Sequence, residues 1–310
     1  MRVTSNMSAD NSIYNIQQSR AKQDRLQELA STQALVNRPS DDPINSRLLL
    51  DIGDKLKSGD QYHSNISKSS TWLQLTNTAL TGMTDTLKLA KDVISSIMSG
   101  SSDAIVRQSA VSKLQALKQQ IVDMANTQIG DQYLFGGANN SVQPYTNTDN
   151  NYSGDTTQLS IEIGQNTTQT VNITGDRLLK GTGASPSYGS SDILETFDTL
   201  IAAVNGDGGV GTPNEYGDLA AIQSGALSLS DGAKQVYNAQ SDVAARVMRL
   251  DSMTKMNENT RSTLETIYSN AQNVDNVKLA VQLSQQKIAF EAALSTTAKL
   301  SALSLLDYMK

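Results

Sequence analysis

Apolar residues recur at alternating steps of three and four over most of this chain, and its C-terminal stretch carries two such rows at once. Within residues 270–310, Val274, Val277, Val281, Ile288, Ala292, Ser295, Ala298, Ala302, Leu305 and Met309 form one row. That spacing is the seam of a long coiled-coil-type helix. A second row, Leu279, Leu283, Phe290, Leu294 and Leu300, lies well around the cylinder from the first. One neighbouring helix can cover one row, not both. The pattern supports two readings, a terminal helix buried in its own domain and a helix that needs partners from outside it.

Upstream, residues 5–36 predict a first helix with a thin apolar stripe at Ile13, Ile16, Leu26, Leu29 and Val36. It stops at Asn37-Arg38-Pro39-Ser40-Asp41-Asp42-Pro43, because Pro39 cannot donate a hydrogen bond and pushes its predecessor out of the helical region. Asp42 is placed to cap a new helix with Pro43 at its first position, and the Asp41 and Asp42 carboxylates suit its positive end. A metal or acid–base site at the paired aspartates is the weaker reading, since no third ligand lies near in sequence. The next long helix, residues 61–98, repeats Ile66, Leu73, Leu80, Leu87 and Ile94 one heptad apart. A companion row is Ser69, Thr76, Met83, Ala90 and Ile97. Sustained over more than four heptads, this predicts a bundle helix. Gly100-Ser101-Ser102 breaks it, Asp103 is placed as the next cap, and Val106, Ala110, Leu114, Leu117, Ile121 and Met124 mark a third helix ending at Gly130. The short connection implies antiparallel neighbours.

The pattern then changes. From Gly137 to Tyr216 lie most of the glycines and three of five prolines. Leu159, Ile161 and Ile163 alternate with polar residues, as do Val171 and Ile173, which predicts two short antiparallel strands with Gly164 and Asn166 between them. Ile193, Leu194, Phe197, Leu200, Ile201 and Val204 predict one amphipathic helix before the glycine cluster at residues 206–211. Helix resumes near Glu215 with Leu219, Ile222, Ala226, Leu229, Ala233, Val236, Val243, Val247 and Leu250. Between Thr254 and Thr263 the seam turns polar, the mark of a hinge or boundary, or equally of a solvated face on one unbroken helix. Leu264, Ile267, Ala271 and Val274 then carry the spacing into the C-terminal stretch.

The expected fold is mainly α: a long antiparallel helical bundle or coiled coil formed by both chain ends, with an inserted, mostly β, Gly/Asn/Thr-rich domain. Its expected divisions are a terminal helical assembly domain (1–42 and 270–310), a helical trunk (43–135 and 215–269) and the insertion (136–214).

Composition narrows the function. At 310 residues with net charge −6, and with Lys and Arg dispersed rather than in blocks, the chain lacks the basic footprint of a nucleic-acid or anionic-membrane partner. Only 18% of residues are charged, against about 25% in ordinary soluble proteins, and Ser, Thr, Asn and Gln take their place. The chain has no cysteine, so disulfides, thiolate catalysis and Cys-ligated zinc are excluded. The first residues have no apolar core of a secretory signal, and no run approaches the roughly 18 apolar residues of a membrane span. The default expectation is a cytoplasmic protein, unless it is exported without a cleaved signal.

No catalytic constellation is evident. The single histidine, His63, sits in a polar run, and nucleophile–base pairs need such a group near an activated Ser or Cys. The glycine cluster lacks the Lys-Ser/Thr of a phosphate loop. Asp149-Asn150-Asn151-Tyr152-Ser153-Gly154 mimics the start of a calcium loop, but its twelfth position is Ser160 rather than an acid. We expect no enzyme, cofactor or metal.

Several segments, taken in order along the whole chain, resemble the flagellin-related axial proteins of bacterial flagella. They are Arg38-Pro39-Ser40-Asp41-Asp42-Pro43, Gly130-Asp131-Gln132-Tyr133-Leu134-Phe135-Gly136-Gly137, Pro144-Tyr145, Tyr152-Ser153-Gly154-Asp155, Val171-Asn172-Ile173-Thr174-Gly175-Asp176 and Leu303-Ser304-Leu305-Leu306-Asp307-Tyr308. Flagellins proper usually carry a glycine-containing loop where Asn37-Arg38-Pro39 stands and an Ala-type residue at Pro43, so the resemblance is to the hook-associated side of the family. Tyr145 stands where Phe is more usual. The resemblance implies export through the flagellar type III channel with a chaperone and assembly as a ring of copies. It places that ring, extracellularly, between a hook-side hook-associated protein and the flagellin filament. A divergent flagellin and an unrelated secreted coiled-coil protein are the alternatives. On this reading Ile13, Ile16, Leu26, Leu29, Val274, Val277, Val281, Leu283, Ile288, Phe290, Leu294 and Leu305 form the assembly interface, and Pro39, Asp41, Asp42 and Pro43 the helix junction. The pattern itself does not assign the two C-terminal rows. We expect the first to meet the chain's own N-terminal helix and the second to meet other subunits.

Overall fold

The computed structural model describes residues 5–99, 104–146, 149–182, 187–206 and 218–308, with the side chains of 5–9, 99 and 300–308 outside the description. The expected Asp103 cap, the Gly100-Ser101-Ser102 break, most of the 206–211 glycine cluster and the resumption of helix near Glu215 lie outside the described residues. So does the Leu305 side chain.

The chain divides into two compact units, one made of Met1–Ser58 and Asn259–Lys310, the other of Gly59–Glu258. In the first unit, α1 (Ser5–Thr32) packs against α7 (Asn276–Tyr308). α1 ends four residues short of the expected Val36, where Gln33 takes a left-handed conformation with φ 54°. The chain then pairs with the residues before α7. Ala34 and Asn273 form an antiparallel bridge, Leu35 N–H donates to Gln272 O at 2.6 Å and Val274 N–H to Gln33 O at 3.3 Å. The 270–310 stretch is therefore not continuous with the helix before it. It breaks at residues 273–275, and Asp275 restarts it by accepting from the Val277 and Lys278 amides at 3.0 and 3.1 Å.

α2 (Pro43–Ser99) starts at Pro43 and runs unbroken through the polar run around His63, so the two helical segments read from the sequence are one. α6 (Leu219–Gln272) likewise passes through the polar stretch 254–263 without interruption. That stretch is a solvated helical face, and the division between the two units falls inside it.

The second unit is a helical trunk with an insertion docked on it. The α2 heptad row Ile66, Leu73, Leu80, Leu87 and Ile94 is buried, as are Ile222, Leu229, Val236, Val243 and Leu250 of α6. The two helices run antiparallel. Asn257 Nδ2 donates to Gly59 O at 2.8 Å, and Gln240 Nε2 to Thr81 Oγ1 at 3.0 Å. α3 (Ala104–Ala125) returns along α2, with Met124 Sδ lying over Gly82, and buries Ala110, Leu114, Ile121 and Ala125. These apolar faces form one continuous core, each Leu- or Ile-sized side chain contributing about 1.5–3 kcal/mol.

Beyond α3 the sequence Gln128-Ile129-Gly130-Asp131-Gln132-Tyr133 folds into a two-residue hairpin of β1 (Gln128–Ile129) and β2 (Gln132–Tyr133), which helical periodicity did not announce. The insertion's strands are confined to β3 (Ser160–Gly164) and β4 (Thr167–Thr170), antiparallel with a bulge between Glu162 and Gly164. The second strand thus begins earlier than Val171 and Ile173 suggested. Residues 171–179 are instead wholly buried and lead into α4 (Gly175–Leu179). α5 (Ile193–Asn205) is capped by Asp192, whose side chain accepts from Glu195 N–H, and lays Leu200 and Ile193 over Gly225 and Gly232 of α6. A Cβ on Gly225 would stand 2.4 Å from Leu200 Cδ2, so only glycine lets α5 sit this close.

The base of the insertion is organised by two tyrosines. Tyr145, fully buried, donates its hydroxyl to Gly175 O at 2.8 Å, and Tyr152 lies across it with ring centroids 5.6 Å apart. Burial raises both phenols above their ordinary range. On α6, Arg246 is fixed by Asp242 at 2.6 Å and donates to Asn172 O at 2.9 Å, while Asp242 accepts from the Tyr188 hydroxyl at 2.6 Å. Gln235 donates to the Leu178 and Ser191 carbonyls and accepts from Ser191 N–H. Polar atoms on α6 thus pair with insertion backbone that would otherwise be buried without partners.

Candidate assembly surface

The α1–α7 pair fixes which face of each helix is turned inward. Gln286 on α7 donates to Ser19 O at 3.0 Å and to Ser19 Oγ at 2.9 Å on α1. Leu279, Leu283, Phe290, Ala293 and Thr297 recur from Gln286 at steps of three and four, share its face, and with it are the shielded positions among the described side chains of α7. On α1 the shielded positions include Ile16, Ser19, Gln23, Leu26 and Leu29.

The other apolar row of α7 is open. Val277 is 76% exposed, Val281 50% and Ile288 64%, with Leu294 also exposed at the edge of the pair. Ile13 and Tyr14 on α1 are exposed as well. This reverses the expected assignment of the rows. Leu279, Leu283 and Phe290 meet the chain's own N-terminal helix, and the Val277, Val281 and Ile288 row does not. The shielded positions carry Leu279, Leu283 and Phe290 where the open row carries Val277, Val281 and Ile288, and a two-helix seam buries its larger side chains first. Of the residues read from the sequence, Ile16, Leu26, Leu29, Leu283 and Phe290 therefore lie on the shielded side of the pair, whereas Ile13, Val277, Val281, Ile288 and Leu294 are exposed. Val274 is half-buried beside the Ala34–Asn273 bridge.

The sequence reading passed over Gln286 and Ser19. The signal was present as a gap: the row steps from Leu283 to Phe290, and Gln286 fills the missing position.

The junction between α1 and α2 is a compact polar turn. Asp42 Oδ1 accepts from the Ile44 and Asn45 amides at 3.1 and 3.0 Å and Oδ2 from Asn45 Nδ2 at 2.7 Å, which caps α2. Those bonds, the Asn45 amide foremost, hold the Asp42 carboxyl below the usual carboxylate range. Asp41 Oδ2 accepts from the Arg38 and Asn37 amides and pairs with Arg25 at 3.0 Å. Desolvation pushes the Asp41 carboxyl up, but Arg25 and the two amides outweigh it, and the net direction is down. Arg25 in turn is raised, chiefly by its bond to Asp41. Glu28 bridges Arg25 and Arg38 at 3.1 and 3.2 Å. Asp41 Oδ2 and both Asp42 oxygens thus accept from backbone amides, the Asn45 side-chain amide and a guanidinium. Pro39 sits exposed in the turn between them.

Among the described residues no group of three His, Asp or Glu side chains could hold a metal ion, and no helix is long and apolar enough to cross a membrane. His63 is exposed on α2.

The described residues thus form a two-helix terminal unit with one apolar row left open and a helical trunk bearing an insertion. The N-terminal helical region of bacterial flagellins matches residues 3–140. Over those residues the chain resembles the flagellins. Within that class its likeness runs along the full length of flagellar hook-associated protein 3, the FlgL type. The protein of that name from Salmonella typhimurium is 22% identical over 318 aligned positions, covering 98% of each chain. The same fold is found in the crystal structure of FlgL from Xanthomonas campestris. It has a TM-score of 0.58 and 18% identity, over 70% of this chain and 99% of that one. The flagellar junction protein FlgL from Legionella pneumophila has a TM-score of 0.57 and 15% identity, over 73% and 99%.

Proposed function

We infer that this chain is a structural junction protein of the bacterial flagellum, joining a hook-side hook-associated protein to the flagellin filament through its terminal helices. The observation that carries the reading is the open row Val277, Val281 and Ile288 beside a seam already filled by Leu279, Leu283 and Phe290. Apolar side chains left open along one face of a helix make an adhesive surface, and other axial subunits are the partners that cover it. The full-length likeness to flagellar hook-associated protein 3 supports the same reading.

The finer parts of the proposal follow from it. Residues 1–42 and 270–310 form the assembly domain, 43–135 and 215–269 the trunk, and 136–214 the outward-facing insertion. Copies close into a ring outside the cell after type III export with a chaperone. The interface is formed by Ile13 and the open row, continued at Leu294 and Leu305. The shielded residues Ile16, Leu26, Leu29, Leu283 and Phe290 hold α1 and α7 together beneath it, and Pro39, Asp41, Asp42 and Pro43 shape the helix junction. The role is structural rather than catalytic.

Deleting residues 275–310 tests this reading. The expected product keeps a folded, cooperatively melting trunk and, in a strain lacking the native chain, leaves hooks without attached filaments. A truncated chain that still supports filaments overturns the proposal, and purified full-length chain growing into long filaments by itself would favour a divergent flagellin.

A further inference from the structure

Buried polar side-chain atoms without a partner are concentrated in one part of the insertion. Of the six such atoms among the described residues, five belong to residues 169–177. They include Nε and Nη1 of Arg177, which is 7% exposed, and Oγ1 of Thr174, which is fully buried. A guanidinium cannot shed its charge, and a buried charge is costly unless something pairs with it. The carboxylates around it are engaged elsewhere. Lys180 takes Asp192 at 3.7 Å, and Arg246 takes Asp242 at 2.6 Å. Asp176, its neighbour in sequence, also has an unpaired oxygen, yet Asp176 acts on Tyr145 and Tyr152 whereas Arg177 acts on Tyr188.

The surroundings of Arg177 therefore carry an excess of positive charge. Tyr188 feels two guanidiniums, Arg177 and Arg246, and one carboxylate, Asp242. Asp242 already accepts from the Tyr188 hydroxyl and pairs with Arg246, both at 2.6 Å. Arg177 is the member left uncompensated.

Thr174 supplies a second, independent observation. A hydroxyl in its position before a helical turn ordinarily accepts from the amide two or three residues on, and Thr174 makes no such bond. Thr174 and Arg177 lie three residues apart on a turn closed by Leu178 N–H donating to Thr174 O at 3.2 Å. That spacing sets two side chains side by side, about 5–6 Å apart. Each can donate, one through its O–H and the other through the N–H edge of the guanidinium. Two unspent donors at that separation, beside one unneutralised positive charge, fit one small oxyanion with an oxygen for each.

We propose that Arg177 and Thr174 form a binding site for a small oxyanion of the carboxylate or phosphate class, held in the insertion beside α6. Only 7% of Arg177 reaches solvent, so the site suits a free ion rather than a side chain of another subunit. The bound ion neutralises the guanidinium that lacks a carboxylate and so tightens the insertion against the trunk. Nothing in this depends on the junction reading.

Inorganic phosphate is the probe, added to the full-length chain. Thermal unfolding is followed by fluorescence of Trp72, the only tryptophan, which packs against the core of the trunk. Sodium chloride at equal ionic strength controls for screening. Phosphate raised to about 50 mM is expected to lift the midpoint by about 3–6 °C above the chloride control. The lift should vanish in Arg177→Met, which keeps the stem without the charge. It should shrink in Thr174→Val, which keeps the shape without the hydroxyl, and in Arg177→Lys, which keeps the charge without the planar edge. The last two keep the test decisive should Arg177→Met not fold. No lift in the parent chain, an equal lift in chloride, or an undiminished lift in the folded variants overturns the proposal. None of these outcomes bears on filament attachment, so failure here is distinguishable from failure of the junction reading.

Discussion

The side-chain amide of Asn126 pairs with the backbone of Tyr145 in both directions, Nδ2 donating to Tyr145 O at 2.9 Å and Oδ1 accepting from Tyr145 N–H at 3.1 Å. One side chain at the end of α3 thus replaces a strand partner for a residue whose ring is fully buried. Asn126→Ala leaves the Tyr145 N–H unpaired, while Tyr145 O keeps the bond it accepts from Gln143 Nε2 at 2.8 Å, and is expected to destabilise the chain by about 1–3 kcal/mol. Asn126→Asp, which keeps only the acceptor, should also destabilise. Urea midpoints measured at constant slope would check both, and a midpoint unchanged in the alanine variant would contradict the role.

Gly137 is confined for two reasons. Its φ is 72°, and a Cβ there would stand 1.7 Å from Asp155 O, where the neighbouring Gly136 carbonyl accepts from Asp155 N–H at 2.9 Å. Gly137→Ala therefore incurs left-handed strain and also pushes the two chain segments apart. Strain alone is of order 1–3 kcal/mol, so the thermal midpoint should fall and the Asp155 amide should lose hydrogen-exchange protection. Retained protection at Asp155 would show that the segments tolerate the side chain.

The junction before α2 should be acid-sensitive. Asp41 and Asp42 are both held below the ordinary carboxylate range when folded. The unfolded reference is about 3.9, so their stabilisation is fully present above that value and is lost as pH falls through the lower folded values. Protection of the Ile44 and Asn45 amides is expected to hold from neutral pH down to about pH 5 and to decline below about pH 4. Asp42→Asn, which can still accept without a charge, should flatten that decline. Equal acid sensitivity in the asparagine variant would mean that the titrating group lies elsewhere.

Leu80 and Ile288 separate stability from assembly. Leu80 is fully buried in the trunk core, and Leu80→Ala should lower stability by about 2–5 kcal/mol. Ile288 is 64% exposed, and Ile288→Ser should alter stability by less than about 0.5 kcal/mol. Combined with Val281→Ser, it should still abolish filament attachment. Normal attachment in that folded double variant would remove the open row from the interface.

Much of the fold was legible because its signals are local. The heptads of α2, α3 and α6 mark helices that need a mate. Pro39 and Asp42-Pro43 mark the turn and the start of α2, where a side-chain cap and a missing N–H act within a few residues. The polar stretch 254–263 read equally as a boundary and as a solvated face, and α6 passes through it, since solvated polar side chains do not break a helix. The true break at residues 273–275 was hidden. It arises because Gln272 and Val274 pair with Leu35 and Gln33, more than two hundred positions away, and no local residue announces that.

The sequence by itself determined that this chain is mainly α, that both ends carry seams, and that the terminal helix has one apolar row too many. These follow from spacing and composition, which act within one or two turns. Only the tertiary structure decided which row faces inward. Burial favours the larger Leu and Phe side chains, and the choice between two rows on one cylinder depends on where α1 lies. Gln286 belongs to the same class: a glutamine between two apolar seam residues finds its partners only once Ser19 is placed opposite it.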